Sequence, residues 1–133
     1  MKYICLGYIA PGKLAGMPED ELHALLDDAF DYDDHLRANG HVVAAVPLEA
    51  PSTAVTLTWN DGEVTTTDGS FAETRQQLDG IRILEARDLN HAIQLISRHP
   101  GLRLGTTEIR PVVDLTGIRR ESEQRRRRKA TAP

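Results

Sequence analysis

Five side chains have types and positions that could support chemistry on a small molecule: Tyr8, Asp33, Asp68, Phe71 and Arg110. Asp33 is the strongest catalytic candidate, because helical spacing places it on the apolar stripe of a predicted first helix. A carboxylate there loses water, and without a partner its pKa rises toward the range of a general acid or base. The alternative is a structural role, in which Asp33 bonds a backbone N–H or an arginine.

Arg110 lies on a predicted strand, on the face opposite Ile109 and Val113. If those two side chains face the helices, the guanidinium faces the other side of the sheet. There it could bind a carboxylate or phenolate substrate with two parallel hydrogen bonds. An ion pair with Glu108, Asp33 or an acid of a partner chain is the alternative.

The remaining candidates lie on a turn and on the first strand. Asp68 begins an Asp-Gly turn, so it is a turn former unless that turn lies beside a cleft, where it could be catalytic. Phe71 is either a hydrophobic plug or a substrate contact, and Tyr8 is a further candidate for binding substrate. No metal or cofactor is expected, because the histidines lack ligand spacing and Cys5 is the only cysteine.

Hydrophobic patterns predict the elements that position these side chains. In order they are strand 2–9, helix 18–39, strand 41–46, hairpin 53–67, strand 81–86, helix 88–98 and strand 105–115. Without the hairpin this is the β-α-β-β-α-β order of a ferredoxin-like α+β fold. The first two strands are apolar on both faces, but two helices cover only one face of a sheet. We therefore expect a homodimer that covers the other face and leaves a small-molecule pocket between the sheets.

Length and charge indicate one domain with a basic end. We expect a domain over residues 1–116 and a charged tail over 117–133 that is disordered beyond about residue 120. Residues 1–113 carry 9 basic and 17 acidic side chains, a net of −8, whereas residues 114–133 carry 7 and 3, a net of +4. The acidic body argues against a nucleic-acid partner.

With no apolar span and no secretory signal, a cytoplasmic location is expected. Removal of the tail is expected to leave the fold and the dimer intact.

The segment Val64–Gly80, with its Thr-Asp-Gly-Ser-Phe-Ala-Glu-Thr-Arg run, resembles the signature of the DGPF branch of the YCII-related family. Further segments agree in the right order, so the resemblance covers roughly residues 1–115: Tyr32–His41, Leu84–Ile93 and Glu108–Pro111. The resemblance implies a ferredoxin-like domain paired into a dimeric α+β barrel. In that family most members have no assigned activity, although a distant relative removes chloride from a chlorinated hydroxyquinone. Some members are encoded beside, or fused to, extracytoplasmic-function sigma factors.

Two departures from the family pattern leave two functions open. The proline of the Asp-Gly-Pro-Phe signature is Ser70 here, and Ala29 occupies a helix position where many relatives carry His or Cys. An enzyme would use Asp33 to move a proton and Arg110 to hold the developing anion of an anionic or aromatic substrate, as a lyase, dehydrochlorinase or isomerase does. A non-catalytic module would bind a metabolite or a sigma-factor-like partner, and the two departures favour that alternative.

Overall fold

The structure is a computed structural model that describes residues 1–72 and 75–133; Glu73 and Thr74, within the family-like segment, lie outside the described residues. Its elements are β1 (Lys2–Ile9), α1 (Glu19–Ala38), β2 (Val42–Pro47), β3 (Val55–Asn60), β4 (Glu63–Asp68), β5 (Gln77–Glu85), α2 (Leu89–Ser97), β6 (Gly105–Pro111) and α3 (Thr116–Thr131). Short 3₁₀ turns cover Pro51–Thr53 and Pro100–Leu104.

Four strands form an antiparallel sheet in the order β2-β5-β1-β6. With α1 after β1 and α2 after β5, this is the ferredoxin-like arrangement, so the predicted fold class is confirmed. Strand β5 begins at Gln77, earlier than the predicted start at Ile81. The reason is a register shift at Gly7 and Tyr8 in β1, which lets β1 keep pairing with β5 as far as Gln77.

The predicted hairpin is present as a separate two-stranded sheet of β3 and β4. Its turn residues, Asp61 and Gly62, have φ angles of 47° and 83°. These left-handed conformations are the ones that a tight hairpin turn requires, and Asp-Gly adopts them readily. The Asp-Gly sequence therefore suits the turn of the predicted hairpin.

Strand alternation divides the sheet into two faces. The helix face, on which α1 and α2 pack, carries the rows Val42–Leu84–Tyr3–Pro111 and Ala45–Arg82–Cys5–Ile109. The open face carries the rows Val46–Ile81–Leu6–Glu108 and Ala44–Ile83–Ile4–Arg110. The buried core lies on the helix face and consists of Tyr3, Cys5, Leu36, Val42, Leu84, Ala86, Ala92 and Ile96.

The basic end differs from the predicted disorder, because Thr116–Thr131 forms the helix α3. Its Arg, Glu, Gln and Lys residues have high helix propensity, and the cations of its last turn interact favourably with the helix dipole. At its start the Asp114 carboxylate accepts hydrogen bonds from the backbone N–H and hydroxyl of Thr116, which lower the pKa of Asp114. None of the helices in residues 1–72 and 75–133 has the length and apolar character of a membrane span.

Candidate active site

A cleft of about 470 Å³ opens between α1, the helix face of the sheet and the 3₁₀ turn at Pro100–Leu104. Among the polar residues that line it, three contact one another: Asp33 from α1, Arg82 from β5 and His99 at the start of the 3₁₀ turn. Much of the remaining wall is apolar and includes Leu26, Ala29, Phe30, Leu102 and Leu104. A cleft with apolar walls and a few convergent polar groups is the usual form of a small-molecule site.

Asp33 and Arg82 form a partly buried ion pair. Arg82 Nη2 donates to Asp33 Oδ2 at 3.0 Å and lies 2.9 Å from Oδ1. The two side chains are only 22% and 17% exposed, for arginine and aspartate respectively. Register explains the contact, because Arg82 lies beside Cys5 in a row of the helix face and therefore points toward α1. Arg82 is thus an arginine partner of the kind that the structural alternative for Asp33 required.

His99 is the third member of the cluster and is 9% exposed. Its Nδ1 accepts a hydrogen bond from the backbone N–H of Gly101 at 3.0 Å. The hydrogen-bond pattern therefore assigns the proton of the neutral ring to Nε2, which donates to Asp33 Oδ1 at 3.0 Å. Arg82 Nη2 and His99 Nε2 lie 3.2 Å apart, and both donate to the Asp33 carboxylate.

The charge state of Asp33 follows from these contacts. Burial raises the pKa of Asp33, but the hydrogen bond from His99 and the charge of Arg82 together outweigh it, so the pKa is lowered from its ordinary value of 3.8. The carboxylate is therefore ionised at neutral pH. It is a weak base, suited to acidic protons or to a reaction in which a nearby cation stabilises the product anion.

Two neighbouring side chains fix the surroundings of the cluster. The Tyr32 ring packs edge-on against His99, with ring centroids 5.5 Å apart, and its hydroxyl donates to the Leu95 carbonyl at 2.6 Å. Burial raises the pKa of Tyr32 and raises that of Cys5, which lines the cleft, to about 11. Both groups are therefore neutral at physiological pH, and Asp33 is the anion of the cluster.

The structure brings together only two of the five predicted site residues. Tyr8 lines the same cleft as Asp33. Asp68 ends strand β4 of the hairpin and Phe71 follows it, both exposed and outside the cleft-lining set. Arg110 lies on the open face and pairs with Glu108, which is one of its predicted alternatives. Within the protomer, Arg82 therefore takes the position beside Asp33 that was predicted for Arg110, and the roles predicted for Asp68, Phe71 and Arg110 stay predictions.

Sequence reasoning missed Arg82 and His99, although the first had a signal. Arg82 alternates in phase with Leu84 and Ala86, which are both buried on the helix face. A charged side chain in such a row needs a partner of opposite charge, and Asp33 is the acid on the facing helix stripe. The contact of His99 with Asp33 depends on how the 3₁₀ turn folds back and has no local signal.

A second histidine pair lies away from the cleft. His41 and His91 pack edge-to-face with centroids 5.1 Å apart, and His41 Nδ1 lies 3.0 Å from the Glu85 carbonyl oxygen. His91 Nδ1 accepts a hydrogen bond from the Arg87 backbone N–H at 3.1 Å. Within residues 1–72 and 75–133, no group of three His, Cys, Asp or Glu side chains is placed to hold a metal ion.

Gly101 controls the position of His99, and its replacement should disturb the cluster. A Cβ added at Gly101 would lie 3.0 Å from His99 Nδ1 and 3.1 Å from Cε1. We expect Gly101→Ala to move the ring away from Asp33, to shift the His99 imidazole signals in NMR spectra and to reduce stability by about 1–2 kcal/mol. Gly117→Ala is the control, since a Cβ there meets nothing within 4 Å. Unchanged His99 signals in Gly101→Ala would contradict this.

Comparison with known proteins identifies the family and supports the fold. The profile of the YCII-related domain matches residues 1–116. Among solved structures, the chain is similar to 5-chloro-2-hydroxyhydroquinone dehydrochlorinase from Burkholderia phenoliruptrix AC1100, determined in complex with 2,5-dihydroxybenzoquinone. The TM-score is 0.51 at 15% sequence identity, over 85% of this chain and 94% of that one, a likeness that establishes the fold. The search of curated proteins gives no match.

Proposed function

Because the chain belongs to the YCII-related domain family, we propose that it is a small-molecule enzyme that performs acid–base chemistry in the Asp33 cleft. The observation that carries the proposal is the pairing of an ionised carboxylate, Asp33, with the guanidinium of Arg82 at 2.9 Å in the wall of one cavity. One group can accept a proton, and the other can stabilise the anion that the proton leaves behind.

The residues of the cluster have distinct roles in this mechanism. Asp33 accepts a proton from an acidic hydroxyl or from carbon beside a carbonyl, and Arg82 holds the resulting oxyanion. The Nε2–H of His99 keeps its hydrogen bond to Oδ1 and so orients the carboxylate. Because the pKa of Asp33 is lowered, transfer is favourable only when Arg82 lowers the pKa of the substrate group as well.

These properties favour a planar, acidic substrate. The apolar walls suit an aromatic or quinonoid ring, and the planar guanidinium suits a phenolate or enolate oxygen. Loss of hydrogen chloride from a chlorinated hydroxyquinol is one reaction of this class. One hydroxyl proton of the substrate first moves to the chlorine-bearing ring carbon, which gives a keto tautomer. A second hydroxyl proton then goes to Asp33, its O–H electron pair forms the second carbonyl, the ring double bonds shift toward the chlorine-bearing carbon, and chloride leaves with its bonding pair. The similar structure is named a dehydrochlorinase and holds a dihydroxybenzoquinone, which supports this choice of substrate class.

Ligand affinity tests the proposal, with the two strand arginines as a matched pair. Titration calorimetry with 2,5-dihydroxybenzoquinone should show binding that Arg82→Met weakens by about 10–100-fold, because a charge-assisted hydrogen bond contributes roughly 1.5–3 kcal/mol. Arg110→Met, on the open face, should leave affinity unchanged. If Arg82→Met does not fold, Arg82→Lys keeps the positive charge and tests the loss of the planar guanidinium with its paired N–H donors. Equal effects at both arginines, or no binding to the wild type, would refute the proposal.

A ligand-binding module without catalysis is the second candidate function. It is favoured by the saturation of the Asp33 carboxylate, whose two oxygens already accept from Arg82 and His99. Such a module would bind the same class of ligand. The wild type would then show no turnover, and Asp33→Asn would change only the affinity for the ligand. A sigma-factor-like protein partner belongs to this candidate as a prediction, whereas a cytoplasmic location is a prediction for the protein under either function.

We further propose that the open face pairs with that of a second copy to form the homodimer. Ile4, Leu6, Ile81 and Ile83 lie at its centre and are half-buried, and Glu108 and Arg110 close its rows at the β6 edge. Leu6→Arg should convert a dimer into a monomer in sedimentation equilibrium at micromolar protein, since two buried charges would face each other. Leu57→Arg, on the exposed hairpin, is the control. A wild type that is monomeric at micromolar protein would contradict the dimer.

A further inference from the structure

Helix α3 is an exposed basic surface. It carries seven cations and two acids, a net of +5: Arg119, Arg120, Arg125, Arg126, Arg127, Arg128 and Lys129 against Glu121 and Glu123. Every residue of α3 except Ser122 is exposed, and none of these cations forms an ion pair with a described residue. A lone helix of this length is marginal in water, and its closely spaced cations repel one another. A partner of negative charge would therefore stabilise it.

Helix α1 has the complementary surface. It carries eight acids between Glu19 and Asp34. Only Glu19, Asp33 and Asp34 of these form ion pairs among the described residues, which leaves five carboxylates without one: Asp20, Glu21, Asp27, Asp28 and Asp31. Phe30 lies among them and is 60% exposed, and Ile118 on α3 is 61% exposed. Each helix thus combines a charged surface with an exposed apolar side chain, and the two charges are opposite.

We propose that α3 of one copy docks on the acidic surface of α1 of a second copy. Ion pairs form between the two helices, and arginines of α3 pack on the Phe30 ring. Charge favours this partner over nucleic acid, because the acidic body, with its net charge of −8 over residues 1–113, repels a polyanion but attracts α3. Each copy carries both helices, so the exchange can be reciprocal and close with two-fold symmetry.

This contact differs from the proposed open-face dimer and does not depend on the chemistry of the cleft. Helix α1 packs on the helix face, so its outer surface stays accessible when two open faces meet. Removing α3 should therefore leave the fold and the open-face dimer and abolish only a salt-sensitive association. Phe30 also lines the cleft, so α3 of the second copy would lie beside the cleft mouth.

Zero-length cross-linking tests the contact in the full-length protein. A carbodiimide joins lysine amines to carboxylates, and Lys129 is the only lysine of α3, the others being Lys2 and Lys13. Heavy-isotope-labelled and unlabelled protein are mixed, equilibrated and cross-linked at about 0.1 M salt. We expect mixed-isotope peptides that join Lys129 to α1, with a yield that falls severalfold at about 1 M salt, where charges are screened. Lys129→Arg, which keeps the charge, should abolish the cross-link.

Matched charge variants decide which surface receives α3. A triple variant should greatly reduce cross-linking of Lys129 to the remaining α1 acids; it combines Asp27→Asn, Asp28→Asn and Asp31→Asn. The combined control Glu49→Gln, Asp61→Asn and Glu63→Gln neutralises as many exposed acids in and before the hairpin and should have no effect. The proposal would be overturned by cross-links that form only within single copies, or by the absence of cross-links to α1. It would also be overturned by an equal loss of cross-linking in the control, or by tight binding of a DNA duplex to the wild type at about 0.15 M salt.

Discussion

Asp33→Asn should reduce turnover of a chlorinated hydroxyquinol by roughly 10²–10⁴-fold, the usual loss when a positioned general base is removed. The amide keeps the shape of the side chain and an oxygen that can accept from His99 Nε2, but it cannot take up the substrate proton. Chloride release and the absorbance of the quinone product both report the reaction. Because Asp33 is ionised at neutral pH, the wild-type rate should stay high toward mildly acidic pH and fall only as the carboxylate is protonated.

The matched control is Asp31→Asn, an exposed acid on the same helix that does not line the cleft. It removes the same charge from the protein without changing the cluster, so its turnover should equal that of the wild type. Equal turnover in Asp33→Asn and the wild type would refute a catalytic role for Asp33. Equal losses in both variants would show that the effect comes from net charge.

Asp33→Ala should lower the free energy of unfolding by about 2–3 kcal/mol. Removing one member of a buried ion pair costs roughly 3–5 kcal/mol because the other charge is left unpaired. The smaller value is expected here because both side chains keep some contact with water. Adding Arg82→Met should recover much of the loss, since no unpaired charge then remains. Urea denaturation of the single and double variants measures both effects.

The stability difference should depend on pH in a definite direction. The pKa of Asp33 is lower in the folded protein than its ordinary value of 3.8, so its stabilisation is fully present above that value. It is lost as the pH falls through the folded pKa. The gap between the wild type and Asp33→Ala should therefore be full at about pH 7 and shrink at about pH 3. A gap that is independent of pH, or a double variant less stable than the single one, would contradict the ion-pair assignment.

The fold was predictable because local patterns agree with the tertiary arrangement. Three local patterns each specify one element: the apolar run of β1, the Asp-Gly turn at residues 61–62, and the Asp88 cap, whose side chain accepts from the His91 N–H. The resemblance to the YCII-related family adds the order in which these elements follow one another. Helix α3 was missed because its lack of apolar residues predicts disorder, whereas the propensity of its residues favours a helix.

The site was predictable only in part. Asp33 could be found because a carboxylate on an apolar stripe is conspicuous in the sequence. Arg110 was predicted to act together with Asp33 because the pocket was expected between two sheets, whereas the described cleft lies between α1 and the helix face. Alternation placed Arg110 on the opposite face correctly, and the same alternation would have selected Arg82. His99 depends on the path of the 3₁₀ turn, which no local pattern encodes.

Mapping the ligand by two-dimensional NMR tests most directly whether the Asp33 cleft is the binding site. On addition of 2,5-dihydroxybenzoquinone, the largest shifts should occur at Ala29, Asp33, Arg82 and Gly101, which line the cleft. Residues of the open face, such as Ile4 and Arg110, should shift little. Shifts concentrated on the open face, or none at ligand concentrations that saturate the calorimetric signal, would contradict the assignment of the cleft.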